Sequence, residues 1–202
     1  MGMQWIDSIK SSGQLTYYLN SITGLWLSAV QDAVREFNNL SSQHNLGVRF
    51  VQTDDAPTDT GGANVAVATG NGTVSYDFLG SRQTNVSGSG LQGSTLLINR
   101  PNSLLEKAFV FLPAQPIINT PSGQRPTGVG VMKVIAVHEL IHATGLHNSD
   151  HTNEDVFNGN PTTDPGRNAA ADRIQITVNR GYRFMPPIIF SSVTARKVKN
   201  LW

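Results

Sequence analysis

The chain has 202 residues, enough for one domain with its own hydrophobic core and too few for two ordinary domains. Only 14% of the residues are charged and the formal net charge is +1, so the chain lacks the basic excess typical of proteins that bind nucleic acid or anionic membranes. Cysteine is absent, which excludes disulfides, thiolate zinc sites and cysteine nucleophiles.

In the first half of the chain, β-prone runs between turn residues alternate with one helical pattern. Apolar residues at helical spacing predict a long amphipathic helix over residues 25–40. Residues 69–93 are rich in Gly, Ser, Asn and Thr and predict the longest loop. The β-prone runs predict five strands, over residues 15–19, 48–51, 64–68, 95–98 and 108–112.

The second half begins with a connection broken by proline and glycine over residues 123–130. An apolar run with helical period then predicts a second long helix over residues 131–144, which ends at Gly145 because glycine readily adopts the left-handed conformation that terminates helices. The final third is predicted to be mostly irregular. It contains a strand-like run at 174–178 and a closing helix capped at Ser191 or Ser192. Strands interleaved with two long helices indicate an α/β or α+β domain.

Four of the five histidines lie between residues 138 and 151. His138 and His142 are four residues apart on the predicted helix, so both imidazoles project from one face and can share one metal ion. Glu139 follows the first of them and can take a proton from metal-bound water, as a catalytic zinc site requires. The alternative is a buried histidine pair without a metal, which would be costly because two imidazoles and a carboxylate would lack partners.

These residues, with Gly145, resemble the signature His-Glu-x-x-His-x-x-Gly-x-x-His of the metzincin zinc peptidases. In that family a methionine turn follows, and the run Gly-Tyr-Arg-Phe-Met-Pro at 181–186 resembles it, which implies that Met185 lies beneath the metal. The alternative is that Met185 is an ordinary core residue.

The resemblance implies a zincin-like α/β fold. The expected features are a mostly parallel five-stranded sheet with an antiparallel edge strand, two long helices of which one carries the zinc ligands, the methionine turn and a C-terminal helix. A single catalytic domain would span residues 1–202, with an N-terminal subdomain of about 1–145 and a C-terminal subdomain of about 146–202.

The third zinc ligand departs from the family pattern, because the expected position holds Asn148. Imidazole suits zinc and carboxylate serves less often, so His151 is the preferred substitute. His147 and Asp150 are the alternatives. The choice of His151 requires a bulge or turn over residues 148–150, which the composition of that segment permits.

The sequence thus predicts an endopeptidase with one zinc ion, in which Glu139 acts as general base and then as proton donor. A peptide or protein substrate would lie extended along the edge strand, at Thr95, Leu96, Leu97 and Ile98. The resemblance implies that Pro186, Pro187 and Ile188 form the wall of a side-chain pocket. A glycine-rich loop with Asp54, Asp55 and Asp59 could hold calcium, although the absence of EF-hand spacing favours a solvated turn.

A second hypothesis is a zinc-containing structural or binding module with little or no turnover. The polar surface and the absence of a visible Sec signal resemble metzincin-type domains encoded by tailed phages, in which the protein is carried in the virion. Glu139 favours catalysis, because a structural zinc site has no use for the base. No apolar run reaches about 18 residues, so we expect a cytoplasmic, non-classically exported or virion-associated protein.

Overall fold

The computed structural model describes residues 2–77, 81–99, 103–120, 123–147, 149–150 and 190–202. The described helices are α1 (Asp7–Ser12), α2 (Gly24–His44), α3 (Val129–Ala143) and α4 (Ser192–Lys199). The described strands are β1 (Gln14–Leu19), β2 (Arg49–Gln52), β3 (Val65–Gly70), β4 (Gly72–Asp77), β5 (Ser81–Val86), β6 (Ser94–Asn99), β7 (Leu105–Pro113), β8 (Ile117–Thr120) and β9 (Gly123–Pro126).

Several predicted features lie outside the described residues. They are the strand-like run at 174–178, His151, the methionine turn with Met185, and the pocket residues Pro186, Pro187 and Ile188. The division into two subdomains at about residue 145 likewise stays a prediction. The closing helix is confirmed: Ser191 caps α4 by accepting the main-chain N–H of Thr194 at 3.2 Å.

The five predicted strands form one sheet, in the order β2-β1-β3-β7-β6. The first four strands are parallel, and β6 runs antiparallel to β7 at one edge. The prediction of a mixed α/β fold with a mostly parallel five-stranded sheet and an antiparallel edge strand is therefore confirmed. The two predicted long helices correspond to α2 and α3.

Strand residues alternate between the two faces of this sheet. On one face, Val65 and Val67 of β3 join the main core with α2 and α3, whereas Ala66 belongs to a second cluster with Phe109 and Phe111 of β7. The middle of α3 is apolar on nearly all sides and correspondingly buried, as expected for a helix between a sheet and another helix. Among the described residues, no helix combines the length and the apolar character needed to cross a membrane.

Two predicted irregular segments contain paired strands. The prediction of a loop over 69–93 is wrong, because β4 and β5 pair there as an antiparallel hairpin. Val74 and Val86 of this hairpin pack against the second cluster, so burial of the other sheet face stabilises strands whose composition is polar. The predicted connection over 123–130 is wrong in part, since β9 pairs with β8 before α3 begins.

Candidate metal centre

The two imidazoles of the motif converge near the C-terminal end of α3. The Nε2 atoms of His138 and His142 are 2.9 Å apart, and the ring centroids are 4.7 Å apart. His142 is buried and His138 is half-buried. The helical spacing of four residues therefore brings both rings to one point, as the sequence predicts.

A main-chain carbonyl fixes the tautomer of one ring. The Nδ1 atom of His142 lies 2.8 Å from the carbonyl oxygen of Leu146. Because a carbonyl oxygen can only accept, Nδ1 carries the hydrogen, and in the neutral imidazole Nε2 therefore keeps its lone pair. A carbonyl bound to the remote ring nitrogen is the usual way in which proteins orient a metal-binding histidine.

The residues present fit a zinc ion. Two imidazole nitrogens bound to tetrahedral zinc at about 2.0–2.1 Å lie about 3.3 Å apart. The observed separation of 2.9 Å is a few tenths of an ångström shorter, so the two nitrogens lie close to the spacing that a shared ion requires. His138 and His142 can therefore supply two ligands.

Glu139 lies against the edge strand. Its side chain is buried, and Thr95 Oγ1 donates to its Oε2 at 2.6 Å. The main chain of Gly93 also hydrogen-bonds to this carboxylate. Burial raises the pKa of Glu139, and the smaller opposite effects of His138, Thr95 and Gly93 do not cancel it. A carboxylate with a raised pKa is suited to accepting a proton.

Gly93 leaves the space that Glu139 occupies. A Cβ atom at this position would lie 2.6 Å from the Cγ of Glu139 and 2.7 Å from the carbonyl oxygen of Phe111. Only glycine fits there without movement of its neighbours. Sequence reasoning missed this role, because the two residues are far apart in the chain and the loop composition around Gly93 has no distinguishing signal.

The predicted substrate-binding residues divide between the two faces of β6. On the sheet face that packs against α2 and α3, Thr95 contacts Glu139 and Leu97 packs against the main core. Leu96 and Ile98 belong to the second cluster on the opposite face. Side chains of β6 are thus largely occupied within the protein, and the strand's main chain is the part suited to pairing with an extended peptide.

The described alternatives for the third ligand have other contacts. His147 is exposed, with Nδ1 3.0 Å from Ser149 Oγ. Lys197 of α4 donates to the main-chain oxygen of Asp150 at 2.6 Å and to its Oδ1 at 3.3 Å. Within the described ranges, no group of three or more His, Cys, Asp or Glu side chains is arranged to hold a metal ion. The identity of the third ligand therefore stays a prediction.

The loop considered for calcium has a different cation beside it. Lys107 of β7 is buried, and its Nζ donates to the carbonyl oxygens of Gly61 and Ala63 at 2.7 and 2.8 Å. Burial lowers the pKa of Lys107, and the nearby charge of Glu106 opposes this shift. These carbonyls thus bind an ammonium group, and calcium binding through Asp54, Asp55 and Asp59 stays a prediction without support.

Comparison of the chain with protein-family models found no match. A search among curated proteins also found no match. The function is therefore inferred from the side chains of α3 and the groups that contact them.

Proposed function

We propose that this protein is a zinc-dependent endopeptidase of the metzincin type. The observation that carries the proposal is the convergence of the Nε2 atoms of His138 and His142 at 2.9 Å, with Nδ1 of His142 held by the Leu146 carbonyl. These two residues would hold the ion together with a third ligand, for which His151 is preferred. When bound, zinc polarises the scissile carbonyl and lowers the pKa of water.

The chain's own residues would perform the proton transfers. Glu139 would accept a proton from the attacking water and deliver it to the nitrogen of the leaving amine. Its burial against β6 supports this role, because the raised pKa makes the carboxylate a better proton acceptor. The main chain of β6 would bind the substrate in an extended conformation.

One observation favours the second hypothesis, a zinc-containing binding module. Glu139 is only 4% exposed, and its carboxylate already has hydrogen-bond partners in Thr95 and Gly93, as a structural glutamate would. Both hypotheses require the metal, and they differ in whether peptide bonds are cleaved.

The deciding experiment combines elemental analysis for zinc with cleavage of a mixed peptide library, with and without chelator. The test variant is Glu139→Gln, which keeps the size of the side chain and removes the base. The matched control is Glu36→Gln on α2, which removes a half-buried carboxylate that lies 3.3 Å from Lys133 of α3.

We expect one zinc per chain in all three proteins. Chelator should abolish cleavage, and Glu139→Gln should lower its rate by about 10²–10⁴-fold, whereas Glu36→Gln should cleave like the wild type. Wild-type protein with full zinc and no cleavage would support the binding module. Absence of zinc from the wild type would refute both hypotheses.

A further inference from the structure

Every main-chain carbonyl from Ile141 to Leu146 accepts a hydrogen bond. The last carbonyls of a helix have no partner within the helix, so others must supply the donors. Thr144 donates to the Ile141 carbonyl through its N–H at 3.1 Å and its Oγ1 at 2.7 Å. Gly145 N–H donates to the His142 carbonyl at 2.9 Å.

The next three carbonyls accept from segments far away in the sequence. Trp5 Nε1 donates to the Ala143 carbonyl at 3.1 Å, and Trp202 Nε1 donates to the Thr144 carbonyl at 3.1 Å. The main-chain N–H of Met3 donates to the Gly145 carbonyl at 2.8 Å. Trp5 is completely buried and Trp202 is half-buried. We call residues 143–146 the post-helix turn; two indoles and one main-chain N–H hold it in place.

The backbone of the post-helix turn is closely fitted to these donors. Gly145 has φ +105°, and a Cβ atom there would lie 2.0 Å from the carbonyl oxygen of Met3. Glycine at this position allows residues 3–5 to approach closely, which brings both Met3 and Trp5 within reach of the turn.

The final carbonyl of the turn connects these contacts to the candidate metal centre. Leu146 is buried, and its carbonyl oxygen is the acceptor for Nδ1 of His142 at 2.8 Å. A shift of the turn would move this oxygen and release the imidazole ring to rotate or to change tautomer.

We propose that Trp5 and Trp202 are positioning residues for His142: they hold the post-helix turn so that the Leu146 carbonyl keeps the Nε2 lone pair directed toward His138. The consequence for zinc affinity rests on the proposed function. The consequence for the tautomer of His142 does not, because it concerns the metal-free protein.

The chain contains three tryptophans, and the third provides a matched control. Trp26 of α2 is also buried, and its Nε1 donates to the main-chain oxygen of Pro113 at 2.8 Å. Tryptophan-to-phenylalanine substitution removes the N–H donor and keeps an aromatic ring. The test therefore compares Trp202→Phe with Trp26→Phe, and uses Trp5→Phe as a second variant that acts on the same turn.

Three quantities are measured for each protein. They are the ¹⁵N chemical shifts of the His142 ring in the metal-free protein at a pH where it is neutral, the zinc affinity by competition with a chelator, and the melting temperature. The first two report on the position of the ring, and the third reports on general damage to the fold.

We expect wild type and Trp26→Phe to show His142 as the tautomer protonated at Nδ1, with equal zinc affinity. Trp202→Phe should show a mixture of tautomers and about tenfold weaker zinc binding, comparable to the loss of a partner that orients a metal ligand. Equal His142 tautomers and equal zinc affinities in Trp202→Phe and Trp26→Phe would overturn the proposal. The wild-type tautomer and zinc affinity in Trp5→Phe would also overturn it. If the wild type binds no zinc, the proposed function fails, and the tautomers alone still decide whether the tryptophans position His142.

Discussion

Substitution of Thr95 by valine should destabilise the protein in a pH-dependent way. The change keeps the shape of the side chain and removes the hydroxyl that donates to Oε2 of Glu139 at 2.6 Å. A hydrogen bond to a charged group contributes about 1.5–3 kcal/mol, and one between neutral groups about 0.5–1.5 kcal/mol. The variant should therefore lose more stability when Glu139 is ionised than when it is protonated.

The direction of this pH dependence follows from the pKa of Glu139, which burial raises above its usual range. Between the unfolded pKa of about 4.3 and the higher folded value, the folded state binds more protons, so its stability falls as the pH rises. The loss of Thr95 should raise the folded pKa further, because its hydrogen bond stabilises the charged form. In the valine variant, the decline of stability with rising pH should therefore be larger and should extend to higher pH.

Urea unfolding of the metal-free protein at about pH 4 and pH 8 measures this effect, with Thr95→Ser as the variant that retains the hydroxyl. The difference in unfolding free energy between the valine and serine variants should grow by about 1–1.5 kcal/mol from the acidic to the alkaline measurement. An equal cost at both pH values would mean that the hydrogen bond from Thr95 to Glu139 gains no strength between them, which would refute this prediction.

Three further predictions concern the same site. Gly93→Ala should cost about 1–3 kcal/mol through overpacking and lower the proposed peptidase activity, because the added Cβ would lie 2.6 Å from the Cγ of Glu139, the proposed general base; thermal unfolding and peptide cleavage test this, and an unchanged rate would contradict it. If His151 is the third ligand, as proposed, His151→Ala should weaken zinc binding more than His147→Ala or Asp150→Ala in chelator competition; a stronger loss for His147→Ala would favour His147 as the ligand. Met185→Leu should cost less than about 1.5 kcal/mol and keep the zinc, and loss of zinc with an intact fold would mean that the methionine turn is misplaced.

The pattern of apolar residues determined most of the secondary structure. Apolar residues three and four apart over 25–40 predicted α2, because that spacing sets the side that a helix buries. The long apolar run over 131–144 predicted α3, which is buried on nearly all sides. The five strands of the main sheet were predicted from β-prone runs between turn residues, which are also local properties of the sequence. The convergence of His138 and His142 belongs to this class, because a spacing of four on a helix places two side chains together.

The tertiary structure alone decided the partners of these elements. Strands β4 and β5 are polar in sequence, and the need to cover the second face of the sheet stabilises them. Thr95 and Glu139 meet across 44 residues of sequence, and Trp5 and Ala143 across 138. Such contacts depend on which surfaces become buried together, a property of the packed chain that no local pattern encodes. The sequence could therefore predict which residues form the candidate metal pair, whereas only packing determined what holds Glu139 and His142 in position.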